Sequence, residues 1–409
     1  MIRGYLKQFF RDVRAQKLRL ALTLFGIVWG TVAVALLLAF GEGFRGHVTK
    51  SMKGIGENIV ICWPTRTSKP FAGLPRGRPL RVTEADIDRL AGEVPEIAAI
   101  SAEYSSGGLT FKAGRNTVSP TLVGVNPTFA AMRNIIPEEG SRFVNSLDAE
   151  RRRRCVFLGD ELKENLFGAI DAVGRYVMVN RMPYLVVGVM KPKDQDSSYN
   201  GRDKDRATIA SSTFKAIYGR QYPDNFVFSV DDPKNVERAK EGVIASLART
   251  HKFDTEDKEA VMMWDTTEML DFIGTFFLAF NVFLGVVGAL TLVVGGIGVS
   301  NIMNVVVEER TKEVGIKMAL GAKKGYVVGQ FLTETMLITF VGGALGFLIC
   351  YGIVSLVPAL GLSEHVGNPS LSLKTASLTA GILGVIGLLA GYFPARTAAN
   401  LNPVEALRM

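Results

Sequence analysis

The sequence has 409 residues, of which 48% are hydrophobic and 21% charged, and its mean hydropathy is +0.21. That hydropathy is high for a soluble protein of ordinary composition. The formal net charge is +8, but the basic excess lies in residues 1–19, 308–325 and 396–409, and residues 43–271 are nearly balanced. Because the charge is confined to three short segments, the composition argues against a nucleic-acid-binding protein.

Long uncharged runs dominate the rest of the chain. They cover residues 20–41, 272–307, 335–363 and 375–395, and each is long enough to cross a bilayer as a helix, which takes about 20 residues. A removable signal peptide is the alternative for the first run. Its 22 uncharged residues exceed the roughly 7–15 of a signal core, which favours a retained helix. The sequence therefore predicts a helical membrane protein with four transmembrane helices.

The distribution of basic residues predicts the orientation. Lys and Arg accumulate on the cytoplasmic side of membrane proteins, so both termini and residues 308–325 are expected there. The predicted order is a cytoplasmic amphipathic helix (1–19), transmembrane helix 1 (20–41), an extracytoplasmic domain (42–271), helix 2 with an extracytoplasmic stalk (272–307), a cytoplasmic surface helix (308–325), helix 3 (326–358), helix 4 (375–395) and a cytoplasmic tail (396–409).

The extracytoplasmic segment alternates strand and helix patterns. Strands are predicted at residues 58–61, 97–103, 108–112 and 118–125, with a helix at 84–91 that Thr83 caps. A second unit is expected to begin near Arg142, with a strand at 155–158, a helix at 160–167 and a hairpin joining 176–180 to 184–189. The prediction is a large α+β domain of two subdomains, with a mobile loop at 64–79 and a charged loop at 191–206.

A dense group of charges follows the second uncharged run. Glu308 with Lys312, and Glu313 with Lys317, stand four residues apart in the favourable order. Apolar residues at the same spacing form one face of this segment: Val307, Val314 and Met318. Gly321 is suited to end the helix, and Lys323 and Lys324 suit its negative end. A short helix on the membrane surface is therefore predicted.

Pairs of glycines four residues apart occur in three of the predicted membrane helices. They are Gly26 with Gly30, Gly342 with Gly346, and Gly387 with Gly391. Small residues at this spacing let helices approach closely. The pattern leaves open whether the partner helix belongs to the same chain or to a second copy.

Residues that would indicate catalysis or metal binding are sparse. His47, His251 and His365 are far apart, and no His-Glu-x-x-His or Cys-x-x-Cys pair occurs, so neither catalytic residues nor a metal site are predicted. Cys62 and Cys155 fall in the extracytoplasmic segment, where they either form a disulfide or remain buried or free thiols. The basic run at 151–154 is a solvated loop or a site for acidic head groups or substrate.

A phosphate-binding loop is also missing. No Gly-Lys dipeptide occurs in the 409 residues, so the pattern Gly-x4-Gly-Lys-[Ser/Thr] is absent. We therefore expect this chain to bind no cofactor itself.

Several stretches resemble the MacB-type (FtsX-like) family of ABC-transporter permeases. The central one is EERTKEVGIKMALGAKKGYVVGQFLTETMLITFVGGALG, and the others are QKLRLALTLFGIVWGTVAVALLLAFGEG, KGIGENIVI and PARTAANLNPVEALRM. They lie at both ends and in the centre, so the resemblance spans essentially the whole chain. The order of a strand at 225–230, a helix at 233–250 and a strand at 260–264 also resembles the end of the family's outer domain, with Asp265 or Thr266 capping the next helix.

The resemblance implies a permease subunit of a homodimeric ABC transporter in the cell inner membrane. Since the nucleotide-binding domain that some members carry is absent, ATP and Mg are expected on a separate soluble ATPase subunit. The family exports amphiphilic substrates (drugs, peptides, lipids or lipoproteins), often through a periplasmic adaptor and an outer-membrane channel. The residues expected to couple to the ATPase are Glu308, Glu309, Arg310, Glu313, Gly315, Leu320 and Gly321.

Two other functions stay open at this point. FtsX-like regulators activate cell-wall hydrolases and transport nothing, but their outer domains are generally smaller than residues 43–271. An outward-facing enzyme is the third alternative, and it lacks any recognisable site. The sequence favours the exporter and does not name its substrate.

Overall fold

The computed structural model describes residues 17–193, 195, 198–361, 363, 367–402 and 406. These belong to two compact units, a membrane unit (Met1–His47 and Gly274–Met409) and a domain (Val48–Ile273). Most of the amphipathic helix expected at 1–19 lies outside the described residues. So do His365 and much of the expected tail.

The described helices are α1 (Lys17–Lys53), α2 (Glu84–Glu93), α3 (Phe129–Met132), α4 (Ser146–Glu150), α5 (Asp160–Phe167), α6 (Ser211–Tyr218), α7 (Val236–His251), α8 (Thr266–Glu309), α9 (Thr311–Ala319), α10 (Lys324–Ala359) and α11 (Leu373–Ala399). The strands are β1 (Ile59–Pro64), β2 (Ile97–Ser106), β3 (Phe111–Ala113), β4 (Asn116–Val118), β5 (Thr121–Val125), β6 (Cys155–Leu158), β7 (Tyr176–Val179), β8 (Met182–Val189), β9 (Arg206–Ala210), β10 (Asn225–Val230) and β11 (Val261–Asp265).

Within the described residues, four helices are long and apolar enough to cross a membrane: α1, α8, α10 and α11. This confirms the predicted number. α1, α8 and α11 extend beyond their uncharged runs at both ends and α10 at its start, because helical hydrogen bonding continues where the side chains are polar. The 44 residues of α8 correspond to about 66 Å at 1.5 Å per residue. Since a hydrocarbon core is about 30 Å thick, α8 must project beyond it, as the sequence predicted.

All six paired glycines lie at contacts between helices of the same chain. A Cβ built on Gly342 would lie 2.7 Å from Ile27 Cγ2, and one on Gly346 would lie 2.7 Å from Thr31 Cβ. Similar contacts join the other glycines to neighbouring helices: Gly26 to Gly295, Gly30 to Leu292, Gly387 to Thr339 and Gly391 to Thr335. These glycines therefore allow close packing of α1, α8, α10 and α11 within one bundle.

The domain is built on a single sheet of eleven strands, in the order β11-β1-β10-β2-β5-β9-β6-β8-β7-β3-β4. The pairs β5–β9 and β6–β8 are parallel and the others antiparallel. One hydrophobic core extends along it. The two units predicted on either side of Arg142 therefore share one sheet, joined where β5 and β6 both pair with β9. β9 was not predicted from the sequence, and its first residue, Arg206, was assigned to a loop.

Local signals were read correctly at several element ends. Thr83 caps α2, with its hydroxyl accepting from Asp86 N and the Asp86 carboxylate accepting from Thr83 N. Asp265 rather than Thr266 caps α8, because its Oδ1 accepts from Thr267 N at 2.8 Å. Thr266 instead donates to the carbonyl of Ile59.

The two extracytoplasmic cysteines are too far apart to form the disulfide that the sequence left open. Cys62 is in β1 and Cys155 in β6, and four strands lie between them in the sheet. At about 4.8 Å per strand this places them about 24 Å apart, far beyond the roughly 7 Å that a disulfide allows between Cα atoms. Both are buried free thiols.

A charged cluster lies inside the domain. The buried Arg133 donates to both carboxylate oxygens of Asp203 at 3.0 and 3.1 Å, and Lys193 Nζ lies 2.7 Å from the same carboxylate. Arg206 stands between Asp203 and Glu103, at 3.6 and 3.4 Å. Burial by itself raises the pKa of Asp203, but Arg133, Arg206 and Lys193 together lower that pKa below its ordinary value.

Candidate coupling site between the second and third membrane helices

The chain between α8 and α10 forms a short helix with a non-helical link on each side. Arg310, at φ −102° and ψ 11°, separates α8 from α9, and residues 320–323 separate α9 from α10. Gly321 has φ +96°, the left-handed conformation that was predicted to end the helix. The predicted helix is therefore present, but it begins only after Arg310.

The interruption of the helix at Arg310 separates the two residues of one predicted ion pair. Glu308 lies in α8 and Lys312 in α9, so the spacing of one continuous helix no longer applies to them. The second predicted pair lies wholly within α9, and there Lys317 Nζ is 2.8 Å from Glu313 Oε1. The four-residue rule held only where the helix was uninterrupted.

One side of α9 packs into the membrane unit. Val314 of α9 and Val307 near the end of α8 are both 5% exposed and belong to the core of the helix bundle, with Met318 of α9 partly buried against it. This is the apolar face that the sequence predicted. Gly315 is also buried, which corrects the expectation that it contacts an ATPase, because a soluble partner cannot reach a buried backbone.

The opposite side of the segment is open to solvent. Glu308 and Glu309 are exposed at the end of α8, and the Glu313 side chain is 44% exposed. Leu320 is 83% exposed, and the adjacent Gly321 is exposed too. The exposed edge, defined as these five residues, combines acidic side chains with one projecting apolar side chain.

Arg310 does not belong to this edge. Its side chain is 16% exposed, and Nη1 lies 3.1 and 3.2 Å from the two carboxylate oxygens of Glu334 in α10. Gln330 Nε2 donates to Glu334 Oε1 at 3.4 Å, and Lys317 Nζ donates to Gln330 Oε1 at 3.3 Å. The structure thus places Arg310 in a contact within the chain.

Sequence reasoning missed Glu334 and Gln330 as site residues. A signal was present, because Glu334 immediately precedes the uncharged run 335–363. An ionisable residue at the edge of a membrane helix needs a partner. The partner is distant in sequence, so spacing rules for a single helix did not reveal it.

The structure defines a multi-pass membrane protein in which an extracytoplasmic α/β domain separates the first two spans and a short helix joins the second and third. Residues 20–246 match the family model described as MacB-like periplasmic core domain, and residues 285–403 match the FtsX-like permease C-terminal model. The chain belongs to this family of MacB-like, FtsX-like ABC-transporter permeases.

Relatives align along almost the whole chain. The macrolide export ATP-binding/permease protein MacB of Chromobacterium violaceum is 34% identical over 403 residues, covering 96% of this chain and 58% of that protein. The pyoverdine export ATP-binding/permease protein PvdT of Pseudomonas syringae pv. tomato is 32% identical over 400 residues, covering 97% and 58%. The chain thus spans about three fifths of the length of these relatives.

Among solved structures, the periplasmic region of MacB from Actinobacillus actinomycetemcomitans aligns with a TM-score of 0.43 and 17% identity, covering 55% of this chain and 96% of that one. The extracellular domain of the ABC-type transporter YknZ from Gram-positive bacteria aligns with a TM-score of 0.42 and 18% identity, covering 51% and 100%.

Proposed function

We propose that the chain is the permease subunit of a MacB-like ABC transporter that passes movement from a separate ATPase subunit to its extracytoplasmic domain. The exposed edge of the α9 segment is the observation that carries this proposal. Its acidic side chains and the projecting Leu320 are exposed to solvent, while Val314 on the other side of α9 is buried in the bundle core. Protein interfaces commonly combine an apolar core with a polar, solvent-accessible rim.

The side of the membrane on which the exposed edge is expected also supports this proposal. The domain between α1 and α8 is extracytoplasmic in this family, and α8 crosses the membrane once before it ends at Glu309. The exposed edge then lies on the cytoplasmic side, where ATP is available. ATP and Mg belong to the ATPase subunit in this proposal, since the pattern that cradles their phosphates does not occur in the 409 residues.

The proposed substrate is an amphiphilic molecule such as a drug, peptide, lipid or lipoprotein. Relatives named for macrolide export and for pyoverdine export support this class without selecting one member. The proposed assembly is a homodimer in the cell inner membrane, with a periplasmic adaptor and an outer-membrane channel as further partners.

The experiment is reconstitution of the purified chain in nanodiscs with and without its co-expressed ATPase subunit. We expect no ATP hydrolysis by the chain alone and hydrolysis by the complex. Hydrolysis by the contaminant-free chain, or failure of every ABC ATPase of the source organism to bind it, would contradict the proposal. Activation of a cell-wall hydrolase by a complex that moves no substrate would favour the regulator instead.

A further inference from the structure

The backbone alone does not fix α9 to either membrane helix beside it. Arg310 interrupts the helix between α8 and α9, and residues 320–323 form a turn before α10. A non-helical residue between two helices is a place where one helix can rotate against the other. Side-chain contacts must therefore decide which membrane helix follows a displacement of α9.

Those contacts connect α9 to α10. A continuous polar chain runs from Glu313 to Lys317 at 2.8 Å, from Lys317 to Gln330 at 3.3 Å, and from Gln330 to Glu334 at 3.4 Å. It ends where Arg310 meets Glu334 at 3.1 Å. The polar links of α9, through Arg310 at its start and Lys317 along its length, are thus both made to α10, while its apolar side also packs against α11.

Glu334 is buried near the start of the apolar part of α10, where a carboxylate that only filled space would cost folding free energy. Gln330 and Glu334 are 6% and 8% exposed, and Glu334 lies about 15 Å along α10 from Lys324 at 1.5 Å per residue. A carboxylate at the start of an apolar span costs free energy unless it is paired, and an apolar side chain of similar volume would pack there without that cost. Retaining a charge pair at this place points to a role in positioning α9.

We propose that the Arg310–Glu334 pair, extended through Gln330 and Lys317, braces α9 against α10, so that α9 and the third membrane helix move as one body while Arg310 acts as the hinge toward α8. The inference rests on the proposed function only in that the displacement of α9 comes from the ATPase. Arg310 and Glu334 are positioning residues that act through α9 and α10.

The brace is tested first in the full-length chain without ATPase, by hydrogen exchange of the α9 amides. Glu334→Gln keeps the shape and the hydrogen bond to Gln330 but removes the charge, and we expect at least tenfold faster exchange across α9. Arg310→Glu should have the same effect. The swap Arg310→Glu with Glu334→Arg restores the pair in reverse and should return exchange to within threefold of wild type.

The control is the reversed pair Glu42→Arg with Arg45→Glu. This ion pair spans 3.8 Å on α1, with side chains about half exposed, and exposed pairs contribute little. Its reversal should leave α9 exchange unchanged. Less than tenfold acceleration in Glu334→Gln, or a swap that restores nothing, would overturn the brace. If the single variants do not accumulate in the membrane, the membrane abundance of the swap replaces exchange as the test: recovery supports the brace, and no recovery overturns it.

A second readout separates positioning from simple stabilisation. A bimane fluorophore on Leu360→Cys, at the exposed end of α10, should respond to ATP in the complex with the ATPase. Glu334→Gln should bind the ATPase within threefold of wild type but lose at least fivefold of that response. An undiminished response in Glu334→Gln, or no response in an ATPase-bound wild type, would contradict the inference. A wild-type chain that binds no ATPase would contradict the proposed function. The hydrogen-exchange result would still test the Arg310–Glu334 brace, because it needs no ATPase.

Discussion

At the scale of residues, the charges that matter most are those removed from water. Asp203 is 6% exposed and is held by Arg133, Arg206 and Lys193. Because its pKa is lower in the folded chain than in the unfolded chain, its charge stabilises the fold above about pH 4, its unfolded value. That stabilisation is lost progressively as the pH falls below this value.

Asp203→Asn should therefore destabilise the domain by about 3–5 kcal/mol at neutral pH, because it leaves buried cations without their counter-charge. It should also flatten the loss of stability between about pH 4 and pH 2. Thermal unfolding of the full chain, followed by tryptophan fluorescence at several pH values, measures both effects. The exposed Asp231 provides the control, since Asp231→Asn should match wild type. A neutral-pH stability of Asp203→Asn equal to wild type would refute the argument.

Individual residues were the least predictable feature of the candidate site. Glu308, Glu309 and Leu320 were identified by resemblance and proved exposed. Arg310 belongs to the same sequence motif, yet it faces Glu334. Which way a side chain points depends on the break between α8 and α9 and on the packing of α10, and neither is encoded in residue spacing along one helix.

At the scale of elements, periodicity and capping predicted much of the fold. α2, α5 and the four membrane helices were located, since each has a strong apolar pattern or a cap, but α1 continues to Lys53, well past its predicted end at residue 41. β9 was missed because five residues beside a charged loop carry too short a pattern. The single sheet was also missed, since strand order depends on contacts between distant segments.

Two glycines of α10 differ in how closely other atoms approach them, so one provides a test variant and the other its matched control. A Cβ on Gly346 would lie 2.7 Å from Thr31 Cβ and 3.1 Å from Val28 O, whereas nothing lies within 4 Å of a Cβ on Gly352. Gly346→Ala should therefore lower stability by about 1–3 kcal/mol through overpacking. Gly352→Ala should be neutral or stabilising, because alanine favours a helix by about 1 kcal/mol over glycine. Melting temperatures of the two variants in detergent give the comparison, and equal values would contradict the assigned packing.

At the scale of the whole molecule, α8 joins the domain to the membrane unit through continuous chain. α8 is a single helix of 44 residues that begins at the end of β11 and ends beside the exposed edge of the α9 segment. The domain and the exposed edge therefore lie at the two ends of one helix. The sequence predicted this connection because an uncharged run longer than a bilayer is readable without any tertiary contact.

The central claim is that the exposed edge binds the ATPase, and co-purification tests it most directly. Glu308→Lys with Glu309→Lys inverts two charges of the exposed edge and leaves the Glu313–Lys317 contact of the brace intact. The matched control is Glu138→Lys with Glu139→Lys, the same charge change at exposed residues of the domain. We expect wild-type membrane abundance for both variants, at least tenfold less ATPase bound to the first, and normal binding to the second. ATPase binding by the Glu308 and Glu309 variant equal to wild type would contradict the proposed contact.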